Sequence, residues 1–386
     1  MKIKENYKLR QPTGPHIVGA TYFYYRYNPA NNSETRTIPA VCFYPAESRG
    51  EGKLKKYTND KIVPGAGCIE TNSYLNVPVA EGAHPLLLFN HGFGIGHESN
   101  SVQCEELASH GYIILSLGHP GDGSYELETG EMHLYNGEER MAEFGEEAAA
   151  SNDIFTAYPD WLLGKGKTAG LEEHRAYYQT IIDRQGGMVL QSEPWLRDSR
   201  AALDSFLAEA GQPGALFYGH VDREKIGAFG MSFGGSVALD LAQTFPEVRA
   251  AANLDGFYFS PNWDVPFTRP VLLMQHDGLG GLFLTYPFMN AAGDTYLATI
   301  KGTMHMNFMD YTELLAENES MTLVLNGQET EVSMLGKIDP DRMEIIMNTL
   351  LLDFFNKYLR GAASRILDTA NIPGELELHR KTGPAV

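Results

Sequence analysis

The sequence predicts an α/β fold with a mostly parallel central sheet flanked by helices, and two features of the chain carry this prediction. Short apolar runs occur at 86–89 and 112–117, as is typical of strands buried on both faces of a sheet, and a further strand is predicted at 225–229. Segments with helical periodicity separate such runs, notably at 101–110 and 235–244. Buried strands that alternate with helices are characteristic of parallel sheets.

Length and composition indicate one large folded unit. The chain has 386 residues, of which 43% are hydrophobic and 20% are charged, and this is ample material for an extensive core. Because α/β folds of this size often form one domain, we predict a single domain over residues 1–386. The net charge of −19 disfavours nucleic acids and anionic membrane surfaces as partners.

Targeting and cysteine content give further expectations. No segment approaches about 18 uninterrupted apolar residues, so we expect no membrane-spanning helix. Residues 1–14 lack the apolar core of a secretory signal, so we expect a cytoplasmic protein, although a processed secreted form would carry the same residues. Cys42, Cys68 and Cys104 are too few and too scattered for a disulfide framework or a cysteine zinc site, and we expect buried thiols.

The other elements follow from local patterns. Residues 17–45 predict a β-hairpin whose strands are joined by an asparagine-rich turn. Asn100 precedes the helix at 101–110 and is its predicted N-cap. Asp339-Pro340 predicts the start of a long amphipathic helix that ends at Gly361. Further elements are predicted as a helix at 196–210 and as strands at 249–254, 270–275 and 295–300.

Residues 121–195 interrupt the alternation of strands and helices. The first half of this stretch is acidic and typical of a loop, whereas the second half carries Tyr158, Trp161 and Leu162. A connection of this length between core strands commonly has a substructure of its own. We therefore predict an insertion that forms a lid or a pocket wall. In the alternative, its aromatic side chains only pack the insertion against the body of the fold.

A G-x-S-x-G pattern, formed by Gly230, Ser232 and Gly234, lies between a predicted buried strand and a predicted helix. This is the context of a nucleophile elbow, in which a strained turn exposes a serine hydroxyl beyond the carboxyl ends of the strands. Glycines two positions away allow the strand and the helix to approach each other. The pattern also occurs in ordinary glycine-rich turns. We predict that Ser232 is a nucleophile.

A nucleophilic serine needs a general base and a group that orients it. His305 follows the last predicted strand of the alternation and is the candidate base, and His276 is the other histidine between the serine and the final long helix. Asp255 and Asp277 each follow a predicted strand, so either could orient the imidazole. The later position is common in hydrolases with such folds and favours Asp277, but the local pattern leaves the choice open.

A negatively charged tetrahedral intermediate needs two N–H donors. Phe233 follows the serine and supplies one, and Phe93 in the loop at 90–94 is the predicted second donor. The glycines of that loop lack the spacing of a dinucleotide fingerprint. His91 and His97 have no further ligands at the spacing of a metal site. We predict neither a metal nor a cofactor.

Five segments together resemble the platelet-activating-factor acetylhydrolase family of the α/β-hydrolase superfamily. They are PLLLFNHGFG at 85–94, LASHGYIILSLGHP at 107–120, VDREKIGAFGMSFGG at 221–235, NLDGFYF at 253–259 and KGTMHMNFMDY at 301–311. Their order and spacing agree with the family, and they span most of the chain beyond residue 85. The chain departs from the family at Met231, where the family often has a histidine, and within 121–195 and 279–294.

The resemblance implies an α/β-hydrolase fold and a serine ester hydrolase that uses no metal. In this family the acid follows the strand directly after the nucleophile helix, which favours Asp255 over Asp277. The implied substrates are small molecules, either short-acyl or small soluble esters. The implied site residues are the nucleophile Ser232, the base His305, the acid Asp255 and the backbone oxyanion donors Phe93 and Phe233.

Two other classes of function remain compatible with the sequence. An amidase, peptidase or acyltransferase would use the same residues on the same scaffold. A binding protein that keeps the fold without catalysis is expected to have lost the serine, the acid, the histidine or the oxyanion loop. Since all four are present, we favour an ester hydrolase.

Overall fold

The computed structural model describes residues 2–29, 35–278, 281–325, 328–369 and 373–383. Its strands are β1 (Ile17–Tyr27), β2 (Arg36–Ala46), β3 (Leu54–Lys56), β4 (Glu70–Leu75), β5 (His84–Asn90), β6 (Ile113–Leu117), β7 (Tyr125–Glu126), β8 (Met132–His133), β9 (Val221–Met231), β10 (Val248–Leu254), β11 (Val271–His276), β12 (Thr295–Ile300), β13 (Ser320–Leu325), β14 (Gln328–Ser333) and β15 (Leu376–Lys381). Its α-helices are α1 (Ser101–Ser109), α2 (Gly137–Leu163), α3 (Leu171–Arg184), α4 (Gly186–Glu209), α5 (Phe233–Thr244), α6 (Thr285–Asn290), α7 (Tyr311–Leu314) and α8 (Pro340–Arg360).

Eleven of these strands form one sheet in the order β15-β12-β11-β10-β9-β5-β6-β2-β1-β4-β3. The strands from β12 to β6 in this order run parallel, and the strands that flank them, β15 and β2, are antiparallel to their neighbours. Side chains of α1 and α8 pack on one face of the sheet and those of α4 and α5 on the other. The predicted mostly parallel sheet flanked by helices is therefore confirmed.

Strand register brings the ends of three central strands level with one another. Asn90 at the end of β5 lies opposite Gly230 of β9, and Leu254 at the end of β10 lies opposite Met231 of β9. Because the carboxyl ends of parallel strands meet at one edge of a sheet, the loops that follow β5, β9 and β10 lie side by side.

The N-terminal region extends the sheet at one edge. Strands β1 and β2 pair antiparallel along their whole lengths, from Ile17 opposite Ala46 to Tyr27 opposite Arg36, as expected for the hairpin at 17–45. The asparagine-rich turn predicted between them falls on residues 30–34, which lie outside the described part of the chain. Strand β4 pairs parallel with β1, and this strand was not predicted.

The start of α1 shows where a local signal fails. The helix begins at Ser101, but the side chain of Asn100 does not cap it and instead donates to the carbonyl oxygen of Phe308 at 2.8 Å. The carboxylate of Asp310 accepts hydrogen bonds from the N–H groups of Ser101 and Val102, at 2.7 and 3.3 Å. The predicted cap was wrong because tertiary folding brings the side chain of Asp310 to the helix N-terminus, where its oxygen atoms accept from N–H groups that have no partner within the helix.

The long helix near the C-terminus follows its sequence signals at both ends. The side chain of Asp339 caps α8 by accepting from Arg342 N–H at 3.1 Å, with Pro340 as the first helical residue. The helix ends at Gly361, which has a left-handed conformation with φ of 65°. Both predicted boundaries are confirmed.

The insertion at 121–195 is mainly helical. It contains the short hairpin β7–β8, the helices α2 and α3, and the first part of α4. The prediction that its first half is a loop was wrong, because α2 begins at Gly137, where the side chain of Asn136 accepts from Glu139 N–H at 3.2 Å. The hairpin β13–β14 was likewise not predicted, since its sequence reads as a polar connection.

The sequence predicts buried thiols and no membrane-spanning helix. Within the described residues all three cysteines are free, and Cys42 and Cys104 are buried. Cys68 is exposed, so the expectation of buried thiols was wrong for this residue, which is the last of a short 3-10 turn. Across the described ranges, no helix has both the length and the apolar character needed to cross a bilayer.

Candidate active site

Ser232 occupies a sharp turn between β9 and α5. Its backbone has φ of 55° and ψ of −124°, a conformation that non-glycine residues adopt only when their surroundings hold them in it. Two backbone hydrogen bonds of 2.9 Å do so here, from Ser232 N–H to the carbonyl oxygen of Leu254 and from Gly235 N–H to the carbonyl oxygen of Ser232. The turn presents the partly exposed hydroxyl at the carboxyl edge of the sheet.

The glycines around Ser232 are required by close backbone approach. A Cβ atom on Gly230 would lie 2.2 Å from the carbonyl oxygen of Gly234, and a Cβ atom on Gly234 would lie 2.0 Å from that of Asn90. A Cβ atom on Gly92 would lie 3.3 Å from the Cβ atom of Ser232. The loop after β5 therefore passes directly beside the serine, as a nucleophile elbow requires.

The structure brings Ser232, His305 and Asp255 into one chain of hydrogen bonds. His305 Nε2 lies 3.0 Å from Ser232 Oγ, and His305 Nδ1 lies 2.6 Å from Asp255 Oδ2. These residues follow β9, β12 and β10, so all three come from the same edge of the sheet. The side chain of His305 is 39% exposed and that of Asp255 is 4% exposed. An imidazole in this position can accept the proton of the serine hydroxyl and donate Nδ1–H to a buried carboxylate.

Asp277, the rival candidate for the acid, lies elsewhere. It is exposed, and its Oδ1 atom accepts hydrogen bonds from the N–H groups of Gly302 and Thr303, at 2.8 and 3.2 Å. Asp277 thus stabilises the turn that leads from β12 to His305. Of the two aspartates, Asp255 is the one that contacts the imidazole.

Asp255 also binds a second histidine, to which the sequence-based interpretation gave no role. The Oδ2 atom of Asp255 lies 2.6 Å from His276 Nδ1, and its Oδ1 atom accepts from the backbone N–H of His276 at 2.8 Å. Burial raises the pKa of the Asp255 carboxyl, but the imidazoles of His276 and His305 outweigh burial and lower it to about 2. Asp255 is therefore an anion at neutral pH.

This depressed pKa predicts a pH-dependent contribution of Asp255 to stability. The folded-state pKa of about 2 lies below the ordinary value of 3.8, so the carboxylate stabilises the native state by about 2 kcal/mol above about pH 4. The contribution is lost as the pH falls through about 2. In chemical unfolding, we expect the stability difference between wild type and Asp255→Asn to be smaller at about pH 3 than at about pH 6. A difference independent of pH would contradict this.

Asp255, His276 and His305 also have the residue types of a metal-ligand set, and their ligand atoms all lie within 4.8 Å of one another. Each Nδ1 atom is 2.6 Å from Asp255 Oδ2. Ligands around one zinc ion at about 2.0 Å lie roughly 3 Å or more from each other. The observed separations are those of hydrogen bonds and fit a carboxylate shared by two imidazoles.

The two predicted oxyanion donors lie on either side of the serine. Phe93 belongs to the loop after β5, which is held by a hydrogen bond of 2.8 Å from Gly94 N–H to the carbonyl oxygen of Asp122. Phe233 is the first residue of α5, and its ring packs edge-on against that of Phe93 at 5.8 Å. Within the described residues, neither backbone N–H group donates a hydrogen bond.

A buried polar network contacts the end of β5, just before the loop that contains Phe93, and the sequence-based interpretation missed it. His119 Nε2 lies 2.8 Å from Asn90 Oδ1, and His119 Nδ1 lies 3.0 Å from Asp198 Oδ2. Arg36 donates to the other oxygen of Asp198 at 2.6 Å, and the ring of Trp195 stacks on His119 at 3.7 Å. Burial lowers the pKa of His119. The network links the end of β5 to α4 and so helps to position the loop.

Aromatic side chains surround the serine and its oxyanion loop. The rings of Tyr135 and Phe144, both from the insertion, lie 5.9 Å from the ring of Phe93. The ring of Phe259, after β10, lies 6.3 Å from that of Phe233. We call these five residues the aromatic cluster. It gives the site an apolar wall to which the insertion contributes.

Other aromatic residues attach the insertion to the body of the fold. Tyr158 is buried and stacks on Phe283 at 5.6 Å, and Tyr178 stacks on Phe257 at 4.4 Å. Some aromatic residues of the insertion therefore pack it against the body of the fold. Others, Tyr135 and Phe144, belong to the aromatic cluster.

Comparisons with known sequences agree with the family resemblance. Residues 1–129 match the family described as platelet-activating factor acetylhydrolase, isoform II. The chain is 23% identical to the platelet-activating factor acetylhydrolase of Cavia porcellus over 374 residues, which cover 90% of this chain and 77% of that protein. It is 20% identical to the protein of the same name from Gallus gallus over 377 residues, which cover 92% of this chain and 85% of that protein.

The fold is also found in a solved structure. A ferulic acid esterase from Streptomyces cinnamoneus superposes with a TM-score of 0.67 over 95% of this chain and 97% of that one, at 18% sequence identity. At this identity the likeness concerns the fold, and it confirms the predicted fold class.

Proposed function

We propose that this chain, which has an α/β-hydrolase fold and resembles the platelet-activating factor acetylhydrolases, is a carboxylic-ester hydrolase that cleaves small esters with a Ser-His-Asp triad. Ser232 is the nucleophile, His305 the general base and Asp255 the acid. The observation that carries the proposal is the hydrogen-bond chain from Ser232 Oγ through His305 to Asp255, with contacts of 3.0 and 2.6 Å.

Acylation begins when Ser232 Oγ attacks the ester carbonyl carbon while His305 Nε2 takes the hydroxyl proton. The carbonyl oxygen becomes an oxyanion that accepts hydrogen bonds from the N–H groups of Phe93 and Phe233. Asp255 keeps the Nδ1–H tautomer of His305 in place and stabilises the imidazolium that forms. The carbon–oxygen bond to the alcohol then breaks, and His305 returns the proton to the leaving alkoxide.

Deacylation repeats this sequence with water. His305 takes a proton from water, the hydroxide attacks the acyl-serine, and the same two N–H groups bind the second oxyanion. The carboxylic acid leaves as His305 returns the proton to Ser232 Oγ. These residues, the ester and water account for every proton and bond in the cycle, so the proposed mechanism calls on no cofactor or metal.

The surroundings of Ser232 favour an ester with a small or apolar acyl group. The aromatic cluster offers ring faces and edges beside the oxyanion loop, and burial of an apolar acyl group against them is favourable. The names of the relatives, platelet-activating factor acetylhydrolase, indicate short acyl groups. The net charge of −19 disfavours anionic substrates. We therefore propose short-acyl or small soluble esters.

Labelling with a fluorophosphonate probe tests the proposed nucleophile. The wild-type protein is expected to gain one adduct by intact-mass analysis, because a fluorophosphonate phosphorylates a serine that is activated by an adjacent base. Peptide mapping should place the adduct on Ser232. Protein unfolded in denaturant before labelling is the control and should stay unmodified. A folded protein without an adduct would overturn the proposed function and favour a binding protein with this fold.

A further inference from the structure

We propose that His276 is a positioning residue of this active site. His276 holds the Asp255 carboxylate and limits how strongly that carboxylate stabilises a protonated His305. The inference rests on the function proposed above for Ser232, Asp255 and His305. It assigns a role to a buried histidine that takes no part in the hydrogen-bond chain to the serine.

The contacts of Asp255 divide unevenly between its two oxygen atoms. Oδ2 lies 2.6 Å from both His276 Nδ1 and His305 Nδ1, whereas Oδ1 binds the backbone N–H of His276 at 2.8 Å. An ionised carboxylate only accepts hydrogen bonds, so each Nδ1 atom in contact with it carries the hydrogen. One oxygen atom is therefore shared by two imidazole donors.

His276 is built rigidly into the fold. It is the last residue of β11, the strand that neighbours β10, and its side chain is 4% exposed. Asp255 N–H donates to the carbonyl oxygen of Met274 at 2.9 Å, which ties the acid to the same strand. A Cβ atom on Gly281 would lie 2.8 Å from His276 Cδ2, so Gly281 packs closely against the ring. The imidazole is held in the orientation that donates to Asp255.

Only one of the two histidines can act as the base. His305 Nε2 reaches Ser232 Oγ at 3.0 Å, and its side chain is 39% exposed at the site. His276 is buried, and of the two histidines it is His305 that makes the hydrogen bond with the serine hydroxyl. His276 meets the hydrogen-bond chain at Asp255, through its Nδ1 atom and its backbone N–H group.

The hydrogen bond from His276 weakens the attraction between Asp255 and a protonated His305. A hydrogen bond from His276 draws negative charge from Oδ2, so Asp255 attracts the His305 imidazolium less strongly than a carboxylate with one imidazole would. If His276 were protonated, its charge would oppose the His305 imidazolium directly, and the sign would be the same. Asp277, the other acid on this side, binds the backbone before His305. Removal of His276 should make His305 easier to protonate.

The test compares His276→Leu with His276→Asn. Leucine fills similar space without a donor, whereas the asparagine amide can place an N–H group where Nδ1–H stood. We expect His276→Leu to lower kcat/KM about tenfold, as the loss of one charge-assisted hydrogen bond would. We also expect the acid limb of kcat/KM to move about half a pH unit higher. His276→Asn should restore most of both values.

Several outcomes would overturn the proposal. One is a folded His276→Leu variant with the kcat/KM and acid limb of wild type. Another is an equal loss in both variants with no movement of the acid limb, which would mean that the site needs the imidazole ring for packing and not for its hydrogen bond to Asp255. Circular dichroism and thermal melting establish that both variants fold.

Probe labelling and NMR separate this proposal from the proposed function. If the fluorophosphonate labels wild type but His276→Leu behaves as wild type does, only the role of His276 is wrong. If wild type itself is not labelled, the proposed function fails and the positioning role fails with it. Two downfield imidazole N–H resonances in wild type, one of them absent in His276→Leu, would show the shared carboxylate independently of activity.

Discussion

Replacing Ser232 with alanine is expected to lower kcat for hydrolysis of p-nitrophenyl acetate about 10⁴-fold or more. The substitution removes the atom that bonds to the ester carbon, and it leaves the oxyanion donors and the apolar wall in place. Binding of the ester should change little, because the backbone of Ser232 is held by its hydrogen bonds to Leu254 and Gly235. Initial rates, measured with enough enzyme to detect residual turnover, check this prediction.

A serine outside the site serves as the matched control. Ser192 is buried in α4, and its hydroxyl donates to the carbonyl oxygen of Val189 in the same helix at 2.8 Å. Ser192→Ala should keep wild-type kcat. If Ser232→Ala retained more than about 1% of wild-type kcat, hydrolysis would not depend on this nucleophile.

Asp255→Asn is expected to lower kcat about 10⁴-fold, whereas Asp277→Asn should change it by less than about twofold. The Asp255 carboxylate accepts hydrogen bonds from the Nδ1–H groups of two histidines and from one backbone N–H group. An asparagine at this position would offer the same three donors only one oxygen atom. His305 is then free to adopt the tautomer with the hydrogen on Nε2, which cannot accept a proton from Ser232.

The asparagine at position 277 is the matched control because it preserves the local contacts. Its side-chain oxygen can still accept from the N–H groups of Gly302 and Thr303, as Asp277 Oδ1 does. Both variants are checked for folding by thermal melting, and steady-state kinetics give kcat. The opposite ranking, with Asp277→Asn inactive and Asp255→Asn active, would show that the acid has been misassigned.

Elements with strong local signals could be predicted from the sequence. The strand predicted at 295–300 corresponds to β12, and Asp339, Pro340 and Gly361 mark both ends of α8. Helix α2 was missed because its sequence is acidic and contains Pro159, so it lacks the simple amphipathic pattern of a helix. The cap of α1 was missed because its donors are satisfied by Asp310, more than 200 residues away in sequence.

The candidate site shows the same division between local and long-range information. The glycines that surround Ser232 indicate the elbow directly, since they form a short contiguous pattern in the sequence, although one of the contacts that requires them comes from Asn90 in another strand. Asp255 and Asp277 look alike in sequence because both follow strands, and the family resemblance was needed to choose between them. The geometry explains the ambiguity. His276 and Asp277 are consecutive residues whose side chains point in opposite directions at a strand end, so His276 faces Asp255 while Asp277 faces the turn before His305.

The level ends of β5 and β9 determine where this protein can tolerate changes in length. Phe93 and Ser232 lie a few residues beyond the paired positions Asn90 and Gly230, and one extra residue in either connection would displace an amide or the hydroxyl by roughly 3 Å. Length changes in the segment 121–195, away from Asp122 and Trp195, which hold the loop after β5 and its supporting network, fall outside both connections and leave that spacing intact. Divergence among related enzymes should therefore concentrate in this segment, where new substrates can be accommodated while the reaction is retained.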